Sequence, residues 1–237
     1  MQPSGFRTSD KYRLEYEAFD RFIRGKPLRF GQFVVLGMKS VLMLFEGLIR
    51  YIPGGFGFKL RYYFYRPLLR HLGRDVLIDV GVHLNGAANI SLGDYTWIDT
   101  YCRIDAHLGE VTIGKRVHIA PFTIIGARAP VVIEDFAGVS AAVKIYANSE
   151  YPADGKRMSG PMVPEEFKAF KSAPVILRKD SFVGANSVLL PGSELGEGCV
   201  VGANCVVSSK LAPFTIYATT SPRAVGQRSP VQVPDEY

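Results

Sequence analysis

Aliphatic residues recur every six positions along much of this chain. The period is plainest over 113–130, where Ile-Gly-Lys-Arg-Val-His, Ile-Ala-Pro-Phe-Thr-Ile and Ile-Gly-Ala-Arg-Ala-Pro follow one another. Such a period fits neither an amphipathic helix nor an alternating strand. It fits a solenoid in which each unit supplies one short strand and one turn. The leading aliphatic positions, in order, are Ile78, Leu84; Leu92, Ile98, Ile104; Ile113, Ile119, Ile125; Ile133, Val139, Ile145; Leu177, Val183, Leu189; Leu195, Val201 and Val207. Within each group the spacing is six; between groups it lengthens by two, three, two and twenty-six residues, and at the last boundary by none. Every insertion therefore falls after three units, at one shared corner of a three-sided coil.

The fifth position of the units is small or β-branched: Val82, Thr96, Val117, Thr123, Ala129, Ala137, Ser181, Ser187 and Ser193, joined by Cys102, Cys199 and Cys205. These side chains are expected inside a tightly turned prism, the cysteines acting as small hydrophobes rather than nucleophiles or metal ligands. Each layer would bury about three aliphatic side chains at roughly 1.5–3 kcal/mol apiece. That does not offset the ordering entropy of one coil, so the layers must stabilise one another. About five to six coils at roughly 4.8 Å per layer predict a prism on the order of 25 Å long.

The first third has a different pattern. Residues 11–24 predict a short helix. Residues 33–52 form an apolar run from Phe33 to Ile52, interrupted by Lys39, Glu46 and Arg50. It is long enough to span a bilayer, but charges are costly in hydrocarbon. It reads as a helix either buried against the protein or laid on a membrane surface. Pro53-Gly54-Gly55 ends it. The segment 58–72 mixes Tyr62, Tyr63, Phe64 and Tyr65 with Lys59, Arg61, Arg66 and Arg70; Pro67 is expected to kink or restart the helix and Gly73 to stop it. Such helices suit an anionic interface or a cap on the open end of the array; the two readings are compatible. The expected organisation is a basic, aromatic-rich helical extension over 1–75, a β-helix over 76–226 with a long loop at 147–174, and a tail at 227–237.

Charge sharpens this division. Of the 28 Lys/Arg and 22 Asp/Glu, residues 1–75 hold 14 and 6, leaving 14 and 16 for the rest. The positive charge belongs to the extension, and the slightly acidic repeat does not read as a nucleic-acid platform. The 47% hydrophobic content is ample for a core. An odd set of 3 cysteines suits a reducing compartment, and residues 1–11 lack the apolar stretch and cleavage site of a signal peptide. A cytoplasmic protein is expected, with a peripheral site at the inner membrane face as the finer reading.

Over 76–226 the chain resembles the hexapeptide-repeat acyltransferases, in the branch that modifies sugars of bacterial surface polysaccharides. The carrying motifs are Val117-His118-Ile119-Ala120-Pro121, Ile145-Tyr146-Ala147-Asn148-Ser149-Glu150-Tyr151, Pro161-Met162-Val163-Pro164-Glu165-Glu166-Phe167 and Val183-Gly184-Ala185-Asn186-Ser187-Val188-Leu189-Leu190-Pro191-Gly192. The resemblance implies an all-β solenoid, a left-handed parallel β-helix of hexapeptide repeats. It also implies a homotrimer with active sites in grooves between prisms, and acyl transfer from acetyl-CoA or another acyl-CoA to a sugar or nucleotide-sugar acceptor.

Acyl transfer needs a positioned nucleophile, a base and donors for an oxyanion. Many relatives carry a catalytic histidine in the loop segment aligned with 147–151; this sequence has none there. His118 is sixth in its unit and outward, with Trp97 one coil earlier, Gly138 one coil later and Phe182 beyond, a polar group beside a space. It is the candidate base; an interface histidine bonded to a neighbouring subunit is the alternative. Glu150 is the candidate for positioning the acceptor, with Trp97, Asn148, Ser149 and Tyr151 as substrate contacts and a solvated loop carboxylate as its alternative. The remaining loop residues Asp154, Lys156, Arg157, Glu165 and Glu166 add polar groups. For CoA the resemblance implies the last coils, where Gly184, Ala185, Gly202 and Ala203 let a pantetheine arm approach, and Lys210 and Arg223 suit phosphates. The tail departs from the family pattern: Tyr217-Ala218-Thr219-Thr220-Ser221-Pro222-Arg223-Ala224 lacks the usual glycine. His71, His83 and His107 do not converge with His118 into a metal site, and no metal is expected. A competing class is a non-catalytic β-helix scaffold or binding protein.

Overall fold

The computed structural model describes residues 12–151, 155–158 and 162–219. Three helices, α1 (Arg13–Ile23), α2 (Phe30–Arg50) and α3 (Gly54–Tyr65), precede a three-sided parallel β-helix. Its first face stacks seven strands from His71–Leu72 to Lys210–Leu211, its second face seven from Leu77–Ile78 to Ile216–Tyr217, and its third face six from His83–Asn85 to Val206–Val207. The expected register holds rung by rung. On the second face, for instance, Ile78 pairs with Ile98, Ile98 with Ile119, Val139 with Ile119 and with Val183, and Val183 with Val201. Every insertion leaves between the third face and the first, as the spacing predicts.

The core is a column of these aliphatic residues, with Ile98, Ile119, Ile125, Ile133 and Leu177 fully buried. The fifth positions turn inward with them, and their hydroxyls have a second task. Thr96 Oγ1 donates to the carbonyl of Gly114 at 2.7 Å and Ser187 Oγ to that of Gly202 at 2.9 Å, tying corner to corner where burial would make an unpaired carbonyl costly. Cys102 is similarly buried, its thiol 3.1 Å from the Ala120 carbonyl, and burial pushes its pKa up to about 12. The thiol is therefore unreactive at neutral pH.

The solenoid begins earlier than the pattern 76–226 implies. His71–Leu72 already pairs with Ser91–Leu92 as a first rung, so the stack reaches seven coils on two faces rather than five or six. Helix α3 ends at Tyr65, before Pro67, and Gly73 is not its stop. Gly73 instead lies where the first two coils touch, and a side chain there would meet the Asp94 backbone nitrogen at 2.5 Å. The tail 227–237 lies outside the described residues.

Helix α3 closes the open first coil, its Tyr65 sharing the core with Leu69, Val76 and Ile78. The joint is Arg61, which is 1% exposed. Its Nε donates to the Ile78 carbonyl at 2.7 Å and its Nη1 to Ile52 and Ile49 carbonyls at 2.7 and 3.2 Å. One guanidinium thus binds the first coil to the carbonyl-rich C-terminus of α2, where a cation is favoured. Gly57 admits this close approach, since a side chain there would strike the Ile52 carbonyl. Beside the joint, Glu46 accepts from Tyr65 Oη and from Arg50 Nη2, both at 2.6 Å, and Arg50 Nη1 donates to His83 Nε2 at 2.7 Å.

Two consequences are measurable. Ile119→Ala, at mid-stack, is expected to cost about 2–5 kcal/mol of stability in denaturant unfolding, and Ile119→Asn more; an unchanged midpoint for either would contradict the register. His83 must be neutral to accept from Arg50, and burial together with the Arg50 charge holds its pKa below the ordinary 6.5. The unfolded histidine therefore takes up a proton before the folded one does, and stability falls as pH drops from 6.5 towards the folded value. His83→Gln should flatten that part of the melting-temperature profile.

Candidate active site

The outward positions of the second face run Leu77, Trp97, His118, Gly138, Phe182, Val200 and Ile216, as the period requires. Their stacking brings Trp97 and His118 ring on ring, centroids 4.7 Å apart at 24°. His118 Nε2 lies 3.2 Å from Asp99 Oδ2, and Asp99 is itself fixed by accepting the Thr100 backbone N–H at 2.6 Å on Oδ1. A proton donated from Nε2 to Asp99 leaves the Nδ1 lone pair available to accept one. The space expected beside His118 is not open. A side chain on Gly138 would lie 2.9 Å from the Phe182 ring, so Phe182 leans over the glycine and fills the gap. At the next corner Tyr101 and Phe122 take left-handed φ values of 56° and 61° and stack at 5.6 Å. The histidine therefore sits in an exposed aromatic field.

The loop residues lie elsewhere. Asn148–Glu150 forms a strand paired antiparallel with Phe170–Ser172, a hairpin rooted at the insertion corner. Asn148, Ser149 and Glu150 line a concavity of about 750 Å³ together with Arg103, Asp105 and Tyr146 of the third face. The exposed Tyr151 follows the strand and donates its N–H to the Ala169 carbonyl at 3.2 Å, outside that lining. The hairpin is clamped: Arg128 covers the Phe170 ring at 4.2 Å and pairs with Glu165, and Arg24 of α1 holds Glu166 at 2.8 Å. Asp154 lies outside the described residues.

A single chain thus assembles two groups, Trp97–His118 on the second face and Asn148–Ser149–Glu150 on the hairpin beside the third face. Sequence reasoning missed two carboxylates. Asp99 stands one residue past the aliphatic Ile98, diagonal to His118 on the adjoining rung, a relation the register itself contains. Asp105 holds His107 Nδ1 at 3.0 Å beside the concavity, and Tyr12 edges that ring at 5.1 Å. Burial raises the Asp105 pKa, but the His107 hydrogen bonds and charge with the nearby Arg103 outweigh it and hold the carboxyl below its ordinary range.

The positions proposed for CoA are only partly united. Gly184, Ala185, Gly202 and Ala203 stack at the corner between the second and third faces. Gly184 is buried, and a side chain there would meet the Gly202–Ala203 backbone at 2.5 Å, so its smallness serves rung packing rather than a ligand. Ala185 and Ala203 remain more accessible. Lys210 belongs to the first face, across the prism from that corner, with Nζ 3.0 Å from Glu194. Arg223 lies outside the described residues. No cluster of metal-ligating side chains occurs among the described residues, and His71 is exposed in the first strand.

Residues 174–209 match the family model described as "Bacterial transferase hexapeptide (six repeats)". The chain is 33% identical over 160 residues to the Escherichia coli dTDP-4-amino-4,6-dideoxy-D-glucose acyltransferase, covering 68% of this chain and 83% of that protein. It is 29% identical over 153 residues to WbbJ of E. coli K12, provisionally named a lipopolysaccharide biosynthesis O-acetyl transferase, covering 62% and 66%. Among solved structures, the Bacillus cereus N-acyltransferase AntD, crystallised as a variant with dTDP-4-amino-4,6-dideoxyglucose and coenzyme A, superposes with a TM-score of 0.62 at 30% identity, over 72% of this chain and 89% of that one. A further AntD complex holds dTDP and 3-hydroxybutyryl-CoA. The chain belongs to the hexapeptide-repeat acyltransferases.

The loop clamp is testable by itself. Arg128→Ala removes both the Glu165 pair and the cover over Phe170, and is expected to speed limited proteolysis within 151–169 by about tenfold. A modest fall in melting temperature should accompany it, because the Arg128 side chain is only 22% exposed and covers a ring as well as pairing with Glu165.

Proposed function

We propose that the protein transfers an acyl group, acetyl or a small hydroxyacyl, from acyl-CoA to the amine of a nucleotide-linked amino sugar destined for a surface polysaccharide. It works as a homotrimer in the cytoplasm, close to the inner membrane face. The observation that carries the reading is the outward His118, oriented by Asp99 and stacked on Trp97. In the trimer the second face of one prism meets the loop corner of the next, and His118 and Glu150 then share a groove. Glu150, Asn148 and Ser149 position the sugar. His118 Nδ1 takes the proton as the amine attacks the thioester carbonyl, and returns it to the departing thiolate, leaving an amide and free CoA. The pantetheine arm runs along Ala185 and Ala203, over the rungs that Gly184 and Gly202 allow to pack. Lys210, paired and on another face, is not needed for that path.

The amino-sugar relatives favour N-acylation. The O-acetyl transferase relative favours a second reading, a sugar hydroxyl as acceptor. A hydroxyl depends on a base more heavily than an amine, which can arrive neutral and lose its proton to the thiolate.

Thiol release from acetyl-CoA, measured with a panel of nucleotide-linked amino sugars and of glycans, tests the reading. Turnover is expected with the amino sugars. Turnover with glycans alone selects the hydroxyl reading, and release with neither, without CoA binding, returns the protein to the scaffold class. His118→Ala should lower kcat about 100- to 10,000-fold with the trimer intact by light scattering. Asp99→Asn should lower it less and alter the pH profile, and Glu150→Gln should mainly raise KM for the sugar. Full turnover by His118→Ala would leave catalysis without a protein base.

A further inference from the structure

Helix α2 is built inside out for a protein in water. Its one buried residue is Gln32, 3% exposed. The side it turns towards the protein holds all its charges: beside Leu36 and Ile49 lie Gln32, Lys39, Glu46 and Arg50. Lys39 pairs with Glu15 of α1 and lies 5.3 Å over the Tyr12 ring, while Glu46 and Arg50 are engaged by Tyr65 and His83. The outward side is apolar, with Phe30, Phe33, Met38, Leu44 and Leu48 each at least 65% exposed. A helix on a soluble protein turns its apolar stripe inward. Here every charge of α2 has been matched internally, and the apolar side carries none.

Both ends of α2 are held on the same side. Its C-terminus is bound to the first coil through Arg61. Its N-terminus follows α1 closely, and α1 is tied by Arg24 to Glu166 of the long loop. A helix fixed at both ends to one rigid body lies along a surface and does not cross a bilayer, although its 21 residues would suffice by length. Flanking charge identifies the surface. Lys26 and Arg29 before α2, Lys59 on α3 and Arg66 just past its end are exposed and have no carboxylate partner among the described residues. Phe56 and Tyr63 of α3 are exposed beside them, at 71% and 61%.

We propose that α2, with the exposed side of α3, docks in the plane of an anionic bilayer, its apolar side among the acyl chains and these four cations at the headgroups. The docking is independent of which sugar is acylated. It would hold the enzyme where surface polysaccharides are assembled.

The test is flotation of the full chain with vesicles of phosphatidylcholine alone or with about a third phosphatidylglycerol, at low and high salt. Binding is expected to the anionic vesicles, weakened by salt. Each reversal among Lys26→Glu, Arg29→Glu, Lys59→Glu and Arg66→Glu should lower partitioning by more than about fivefold, the loss for removing one cation, and Phe33→Ser/Met38→Ser/Leu44→Ser should abolish it. All these positions are exposed, so the variants should keep the wild-type melting temperature and thiol-release rate. Two results overturn the proposal. One is no flotation on any vesicle, with the serine variant instead changing the oligomeric state, which makes the apolar side a contact between copies. The other is equal binding to neutral and anionic vesicles, unaffected by the charge reversals.

Discussion

The whole structure depends on the stacking of like on like. An aliphatic side chain entering the prism at one rung finds contacts only in the rungs before and after it, so Ile119 is stable because Ile98 and Val139 lie directly below and above. No coil has a core of its own. The six-residue period is therefore a condition of folding rather than a convenience, because a slip of one residue would turn the buried column outward. Insertions survive only where they do not disturb the stack, and this chain places all of them at one corner.

A stack of this kind has an end that must be closed, and the closure shapes the first third of the chain. Arg61 binds the first coil's Ile78 carbonyl and the last carbonyls of α2 with one buried guanidinium. That choice brings the C-terminal polar stripe of α2 onto the protein, where Glu46 accepts from Arg50 and Tyr65 and Arg50 donates to His83. The apolar residues of α2 are left facing away. The cap and the inverted helix are consequences of one arrangement, so the capping contact and the proposed interface are compatible.

The period makes the architecture legible down to individual outward neighbours: spacing alone puts Trp97, Gly138 and Phe182 on the face of His118. What the period does not carry is lateral detail. It places Phe182 on the right face but not its lean over Gly138, which closes the expected space. It gives the rung of Asp99 but not the diagonal reach to His118. Gly73 reads as a helix stop because glycine after an aromatic-basic segment usually is one, whereas the next coil's backbone is what excludes a side chain there. Gly184 reads as room for a ligand for the same reason. A glycine shows that something approaches closely, not whether it is a substrate or the protein's own next rung.

The candidate chemistry divides along the same line. His118 stands on a repeat face whose positions the stack fixes, whereas Glu150 stands on an insertion that the stack merely tolerates. The insertion is held by Arg128 on Glu165 and Phe170 and by Arg24 on Glu166. Side-chain exposures of 34% for Arg24 and 49% for Glu166 make that pair weak as a source of stability. Its value is positional. It links the loop bearing Glu150 to α1, and α1 to the helix with the apolar side. The proposed base thus stands in a rigid lattice and the proposed acceptor site on a tethered loop.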